Sequence, residues 1–235
     1  MEKKRYQYLL MDFDNTLFDF DRAEETAFHA AFSAYGLVSD EKIYQIYHEI
    51  NDGMWKKLER GEVEREHLKI LRFEMLLEVL SVSDTDGLSR KLSDAYLFQL
   101  SEQNFLLPGA KEVCEALCRQ YRLFIITNGS YSVQMKHYHN SGLESCFEDI
   151  FVSEKLGAAK PSAVYFSRVT ERIGDPDVSR YLVIGDSLSS DIAGAAAAGM
   201  DAVWLNRNGK NNEQGLPVVH TVHDIRELPA YLGIQ

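Results

Sequence analysis

Tyr8-Leu9-Leu10-Met11, followed at once by Asp12-Phe13-Asp14-Asn15-Thr16, is the stretch that decides the fold. The apolar run is short, continuous and without alternation. It suits a strand buried on both faces, as in a parallel sheet. The same kind of run recurs at Leu123-Phe124-Ile125-Ile126, more weakly at Ile150-Phe151-Val152, then at Leu182-Val183-Ile184 and Ala202-Val203-Trp204-Leu205. Helical patterns separate the later runs, for example Ala110 to Gln120 and Ala163 to Ile173. Alternating strands and helices predict an α/β, doubly wound core with right-handed crossovers.

The interval between the first two runs is far longer than one crossover helix needs, and it reads as helical throughout. Apolar stripes spaced by three and four residues run from Ala23 to Tyr35, from Ile43 to Leu58 and from Leu68 to Val79. Another begins at Leu88. These are the spacings of amphipathic helices. Gly36 and Gly61 sit where helices can stop, and Ser39 or Asp40 can cap the next start. The architecture expected is a mainly parallel Rossmann-like sheet core over 1–17 and 106–235, with an inserted helical-bundle cap over 18–105.

Composition narrows the partners. The chain has 235 residues, 45% of them hydrophobic, and a net charge of −11. No basic cluster offers a face for a nucleic acid polymer. Lys3-Lys4-Arg5 reads as a solvated terminus. No run approaches the ~20 apolar residues that a membrane-spanning helix needs, and the short run after MEKKRYQ is not a signal peptide. The cytoplasm is the default compartment. Cys114, Cys118 and Cys146 are odd in number and widely spaced, which fits core thiols better than disulfides.

Four groups follow four of the predicted strands, at the sheet edge where ligands bind in open α/β folds. Asp12 and Asp14 leave the first strand pointing roughly the same way. One can attack phosphorus while the other donates and accepts protons; the bland alternative is an acidic loop. Thr127-Asn128-Gly129 offers a hydroxyl and main-chain N–H groups to phosphate oxygens, though Asn-Gly is also an ordinary turn. Lys160 can neutralise a phosphate or a carboxylate, and Pro161 fits a first helical position. Asp186 and Asp191, in Gly185-Asp186-Ser187-Leu188-Ser189-Ser190-Asp191, add carboxylates that would repel Asp12 unless a hard cation lay among them. Mg²⁺ suits such an oxygen site.

Together, DFDNT at 12–16 with its preceding strand, Thr127, Lys160 and GDSLSSD at 185–191 resemble the four motifs of the haloacid dehalogenase superfamily. The resemblance covers the whole chain, including the position of the inserted helices. It implies a Mg²⁺-dependent phosphatase in which Asp12 forms an aspartyl-phosphate and Asp14 is general acid and base. It further implies that Asp12, Asp186 and the main-chain carbonyl of Asp14 bind the metal. Thr127 and the N–H groups of Asn128 and Gly129 would hold the phosphoryl oxygens, and Asp191 would orient Lys160 or bind a metal water. Asp14 marks a phosphatase, because true dehalogenases of the superfamily lack this second aspartate.

Longer stretches resemble the bacterial pyrimidine nucleotidases that act on noncanonical nucleotides. They are LLMDFDNTLFDF from Leu9; Asn51, Trp55 and Leu58; Arg72; and ITNGSYSVQMKHYHNSGLESCFEDIFVSEKLGAAKPSAVYF from Ile126. The substrate implied is a pyrimidine nucleoside monophosphate, with sugar phosphates or other small phosphoesters such as phosphoglycolate as the alternative. Phe18, Phe20 and Trp55 are candidates to stack on a base, or else packing residues. Asn51 is a candidate for a base edge, or else a surface helix position.

Overall fold

The computed structural model describes residues 6–234. The basic run Lys3-Lys4-Arg5 lies outside the described residues. The chain divides into two compact units, one comprising the residues up to Phe20 and from Asn104 onward, the other Asp21–Gln103.

The first unit is a six-stranded parallel sheet. In chain order its elements begin with β1 (Tyr8–Asp12). The second unit's helices α1 (Phe20–Ala34), α2 (Glu41–Glu59), α3 (Arg65–Val79) and α4 (Leu88–Ser101) come next. The chain resumes the sheet unit with α5 (Ala110–Leu117), β2 (Arg122–Thr127), α6 (Tyr131–Ser141), β3 (Phe147–Val152), α7 (Ser153–Leu156) and α8 (Ala163–Ile173). It finishes with β4 (Tyr181–Gly185), α9 (Ala193–Ala197), β5 (Asp201–Leu205), β6 (His220–Val222) and α10 (Leu228–Tyr231). The strand order is β3-β2-β1-β4-β5-β6, and every pairing is parallel. The chain moves outward from β1 to β3, then returns to the far side of β1 for β4. That reversal is the switch point where doubly wound sheets bind ligands.

The five expected strands are present. β6 was not foreseen: it is a three-residue edge strand in which only Val222 is buried. Side-chain alternation explains the double-sided burial. Tyr8, Leu10, Phe124, Ile126, Phe151, Tyr181, Val183 and Trp204 share one core with Tyr165, Phe166 and Val169 of α8 and with Ala195 of α9. The intervening residues Leu9, Met11, Ile125, Leu182, Ile184 and Val203 point the other way and are equally buried.

Two segments lead out of and back into the sheet unit, and they pair with each other. Phe18 bridges Leu106 in antiparallel fashion. Asp19 N donates to Phe105 O at 2.7 Å, and Leu107 N to Leu17 O at 2.9 Å. Phe18 is fully buried, with its ring 5.8 Å from Phe13 and 4.2 Å from His137. Of the two roles open to it, packing is the one it fills; it has no face left for a base.

The second unit is a four-helix bundle. Asp40 caps α2 by accepting from Ile43 N at 2.9 Å. Gly36 and Gly61 follow α1 and α2 with positive φ, at 68° and 73°. The interior is aromatic, with Phe28, Phe32, Tyr47, Phe73 and Tyr96 all buried. It also holds Glu24, Asn51 and Arg72, buried and linked. Asn51 Nδ2 donates to Glu24 Oε1 at 2.6 Å, and Arg72 Nη1 to Asn51 Oδ1 at 2.8 Å. The Arg72 guanidinium lies 4.6 Å from the Tyr96 ring centroid. Asn51 is therefore neither a surface residue nor a candidate for a base edge. Both ends of its amide are committed, and a buried amide without partners would cost ~1–3 kcal/mol.

No helix among the described residues is long and apolar enough to cross a membrane. All three cysteines are free. Cys114 is buried, and that burial pushes its thiol well up.

Candidate active site

Three adjacent strands, β2, β1 and β4, end at the same edge of the sheet, and each delivers one part of the site. β1 ends in Asp12, in register with Ile126 of β2. β2 ends in Thr127 and β4 in Gly185.

Lys160 is the centre of the arrangement. Its side chain is 2% exposed, and Nζ donates to Asp12 Oδ1 at 2.5 Å, to Asp191 Oδ1 at 2.7 Å and to Ile126 O at 3.1 Å. An ammonium has three donors, and here each has an acceptor. Burial alone would lower the Lys160 pKa, but the Asp12 and Asp191 carboxylates raise it above its ordinary value, so the lysine stays charged. Asp12 is pushed well above the usual carboxylate range, first by burial and then by the charges of Asp191, Asp186 and Asp14; Lys160 opposes the shift.

The loops that place these groups are tied to each other. Asn128 grips the main chain of Lys160 at both ends. Lys160 N donates to Asn128 Oδ1 at 3.0 Å, and Asn128 Nδ2 donates to Lys160 O at 2.8 Å. The Asn128 side chain thus serves the lysine. Gly129 N donates to Thr127 Oγ1 at 3.0 Å. Pro161 is not the first helical residue. Ser162 takes the N-cap of α8, accepting from Val164 N at 3.3 Å, so Pro161 precedes the cap.

A π-helical turn, Leu188–Ile192, presents Asp191. Ser187 caps it by accepting from Ser190 N at 3.2 Å. Asp191 Oδ2 accepts from Ser187 N at 3.1 Å while Oδ1 accepts from Lys160. Gly185 is required beneath it, because a Cβ there would lie 2.3 Å from Asp191 Oδ2. Asp186 lies half-buried beside them, its carbonyl accepting from Trp204 Nε1 at 2.9 Å.

Carboxylate oxygens of Asp12, Asp186 and Asp191 lie within 4.8 Å of one another. Three negative groups at that spacing, two of them buried, with one lysine among them, leave uncompensated negative charge. Hard oxygen donors around such a deficit fit a divalent cation of the Mg²⁺ type. The donor chemistry therefore agrees with the expected metal.

Asp14 is half-buried, and its Oδ2 accepts from Gln134 Nε2 at 2.9 Å. Gln134 was not singled out from sequence. The available signal was a long polar side chain four residues after Ser130, on the first turn of a helix that opens at the site.

Sheet order, edge and charge define a ligand site of the doubly wound α/β class whose acidic donors suit a divalent cation. The chain belongs to the haloacid dehalogenase-like hydrolase family, whose model matches residues 6–199. It is 36% identical to the HAD-hydrolase YfnB of Bacillus subtilis, over 99% of this chain and 97% of that one. The crystal structure of YfnB bound to magnesium, described as revealing interdomain movement, superposes with a TM-score of 0.91, covering 98% of this chain and 100% of that chain. The chain is also similar to two proteins named as pyrimidine 5′-nucleotidases. PynA of Streptococcus pneumoniae is 32% identical, with 95% and 93% of the two chains covered. YjjG of Escherichia coli is 31% identical, with 97% and 98% covered.

Proposed function

We propose that this chain is a Mg²⁺-dependent phosphomonoesterase that passes through an aspartyl-phosphate on Asp12 and prefers pyrimidine nucleoside 5′-monophosphates. The observation that carries the chemistry is the Asp12–Lys160–Asp191 triad with Asp186 beside it. Lys160, held by Asp191, fixes the Asp12 carboxylate at the end of β1 as a nucleophile. Asp12 and Asp186, with the main-chain carbonyl of Asp14, would hold Mg²⁺. The bound ion supplies the positive charge that admits a phosphate dianion to an acidic site and favours ionised Asp12.

In the first step an Asp12 carboxylate oxygen bonds to phosphorus, and the ester P–O bond breaks. The leaving oxygen takes a proton from Asp14. The Thr127 hydroxyl and the main-chain N–H of Asn128 hold the phosphoryl oxygens, and the Gly129 N–H joins them by turning from Thr127 Oγ1, to which it donates in this structure. In the second step Asp14 takes a proton from water and the water oxygen bonds to phosphorus. The P–O bond to Asp12 then breaks, releasing inorganic phosphate and restoring both carboxyl groups. The preference for pyrimidine nucleotides is supported by the two nucleotidase relatives, whose similarity runs through the inserted helices as well as the sheet unit.

The test compares kcat/KM for dUMP, dTMP, dAMP, glucose 6-phosphate and phosphoglycolate with Mg²⁺ in one buffer. The pyrimidine nucleotides are expected to lead. A sugar phosphate or phosphoglycolate ahead by about tenfold removes the nucleotidase reading and leaves the phosphatase. Asp12→Asn is expected to abolish turnover of every substrate, because an amide is a poor nucleophile. Near-normal turnover by that variant would exclude covalent catalysis through Asp12.

A further inference from the structure

Gln134 sits at a buried position of α6 that an apolar residue would fill more cheaply. Its side chain is 1% exposed, and its Oε1 has no hydrogen-bond partner among the described residues. A buried amide with one end unsatisfied is a cost, and it persists where the other end is used. The other end donates from Nε2 to Asp14 Oδ2 at 2.9 Å, across 120 residues of sequence. Gly129 provides the space: a Cβ there would lie 2.3 Å from Gln134 Nε2, 2.6 Å from Cδ and 2.7 Å from Cγ. The side chain therefore runs over the bare face of Gly129, along the loop after β2, and ends on the carboxylate of the loop after β1.

From this geometry we infer that Gln134 is the positioning residue for Asp14. The inference rests on the phosphatase reading above and deepens it. A carboxyl on a loop can rotate about its χ angles. With Oδ2 tied to an amide that is itself packed against Gly129, the rotation is held, and the carboxyl keeps one orientation just beyond the end of β1. Gln134 touches neither substrate nor phosphorus; it acts through Asp14. Its effect belongs to the step in which Asp14 protonates the leaving oxygen.

That step can be isolated by choice of ester. An alkyl phosphate, such as dUMP or glycerol phosphate, expels a poor leaving group and needs the proton. p-Nitrophenyl phosphate expels a stable phenolate and needs it little. kcat/KM reports the steps up to release of the alcohol and leaves out hydrolysis of the phospho-enzyme. The experiment measures kcat/KM for both esters, with Mg²⁺, in wild type, Gln134→Met and Gln134→Glu, beside thermal melts. Gln134→Met matches the length, removes the donor and also removes the unsatisfied oxygen, so it should melt no lower than wild type. Its kcat/KM for the alkyl ester should fall roughly 10- to 100-fold, the range for a misplaced proton donor, while that for the aryl ester changes by less than about threefold. Gln134→Glu keeps length and polarity but sets a carboxylate against Asp14, and should show the same selective loss. Should Gln134→Met not fold, the Gln134→Glu comparison alone decides.

Equal losses on both esters, or no loss on either, overturn the positioning role. Two further results separate this inference from its parent. A wild type that hydrolyses neither ester overturns the phosphatase reading, and this inference with it. A wild type active on both, with Asp12→Asn inactive and Gln134→Met unselective, overturns the positioning role alone.

Discussion

At the scale of single residues, the energetic weight of Lys160 follows from where its charge sits. Its two carboxylate partners are almost completely buried, as it is. Lys160→Met leaves Asp12 and Asp191 facing each other without a counter-charge and should cost about 3–5 kcal/mol. The check is urea unfolding, where the midpoint should drop with little change in slope. A useful contrast is Arg122, whose two-point contact with Glu148 has distances of 2.7 and 2.6 Å but is 40% and 45% exposed. Arg122→Ala should cost only about 0–1 kcal/mol from that pair, because water already solvates both charges. Near-equal costs for the two substitutions would mean that the Lys160 cluster is not held as described. The same distinction explains what sequence could show of the site. Asp12, Thr127, Lys160, Asp186 and Asp191 were legible because each follows, directly or by a short loop, a recognisable apolar run. Gln134 was not, and neither was the burial of Asn51 and Arg72 in the bundle. Each is polar in a helix, which alone reads as a solvated face, and only partners distant in sequence make burial tolerable.

At the scale of elements, the helical bundle carries its own titration. His48 on α2 lies beside Glu24 on α1, with Nδ1 2.6 Å from Glu24 Oε2. The hydrogen bond to Glu24 raises the His48 pKa from 6.5 to about 9, against burial, with further support from the charges of Glu24, Asp52 and Asp21. The folded bundle thus binds a proton that the unfolded chain has released. The stability this contributes is fully present below pH 6.5 and is lost as pH rises through about 9. Melting temperature measured from pH 6 to 10 should therefore fall across that window in wild type. His48→Gln should lack that part of the slope, while still paying a pH-independent cost at Glu24. Parallel profiles for the two proteins would show that the pair does not titrate this way. The four helices themselves were readable from stripes of three and four, because each buries one face on its neighbours. β6 was not readable, since a three-residue edge strand with one buried side chain leaves no pattern.

At the scale of the whole molecule, charge and the two-unit division bear on metal binding together. The chain carries a net charge of −11, so any salt can stabilise it by screening. A cation held by Asp12 and Asp186, with Asp191 beside them, would do something different, because those carboxylates converge only in the folded sheet unit. Binding to the folded state alone contributes ~2.7 kcal/mol at a metal concentration of about 100 Kd. For a chain of this size each kcal/mol moves the melting temperature by ~2–4 °C, so a shift of several degrees is expected. MgCl₂ should produce it, NaCl at matched ionic strength should not, and Asp186→Ala should abolish the difference. The bundle supplies an internal control, since the metal cluster lies wholly in one unit and the His48–Glu24 pair wholly in the other. If the two units melt in separate transitions, Mg²⁺ should raise only the one that carries the sheet, and alkaline pH should lower the one that carries the bundle. An equal rise with NaCl, or a full Mg²⁺ shift retained in Asp186→Ala, would place the ion elsewhere than among these carboxylates.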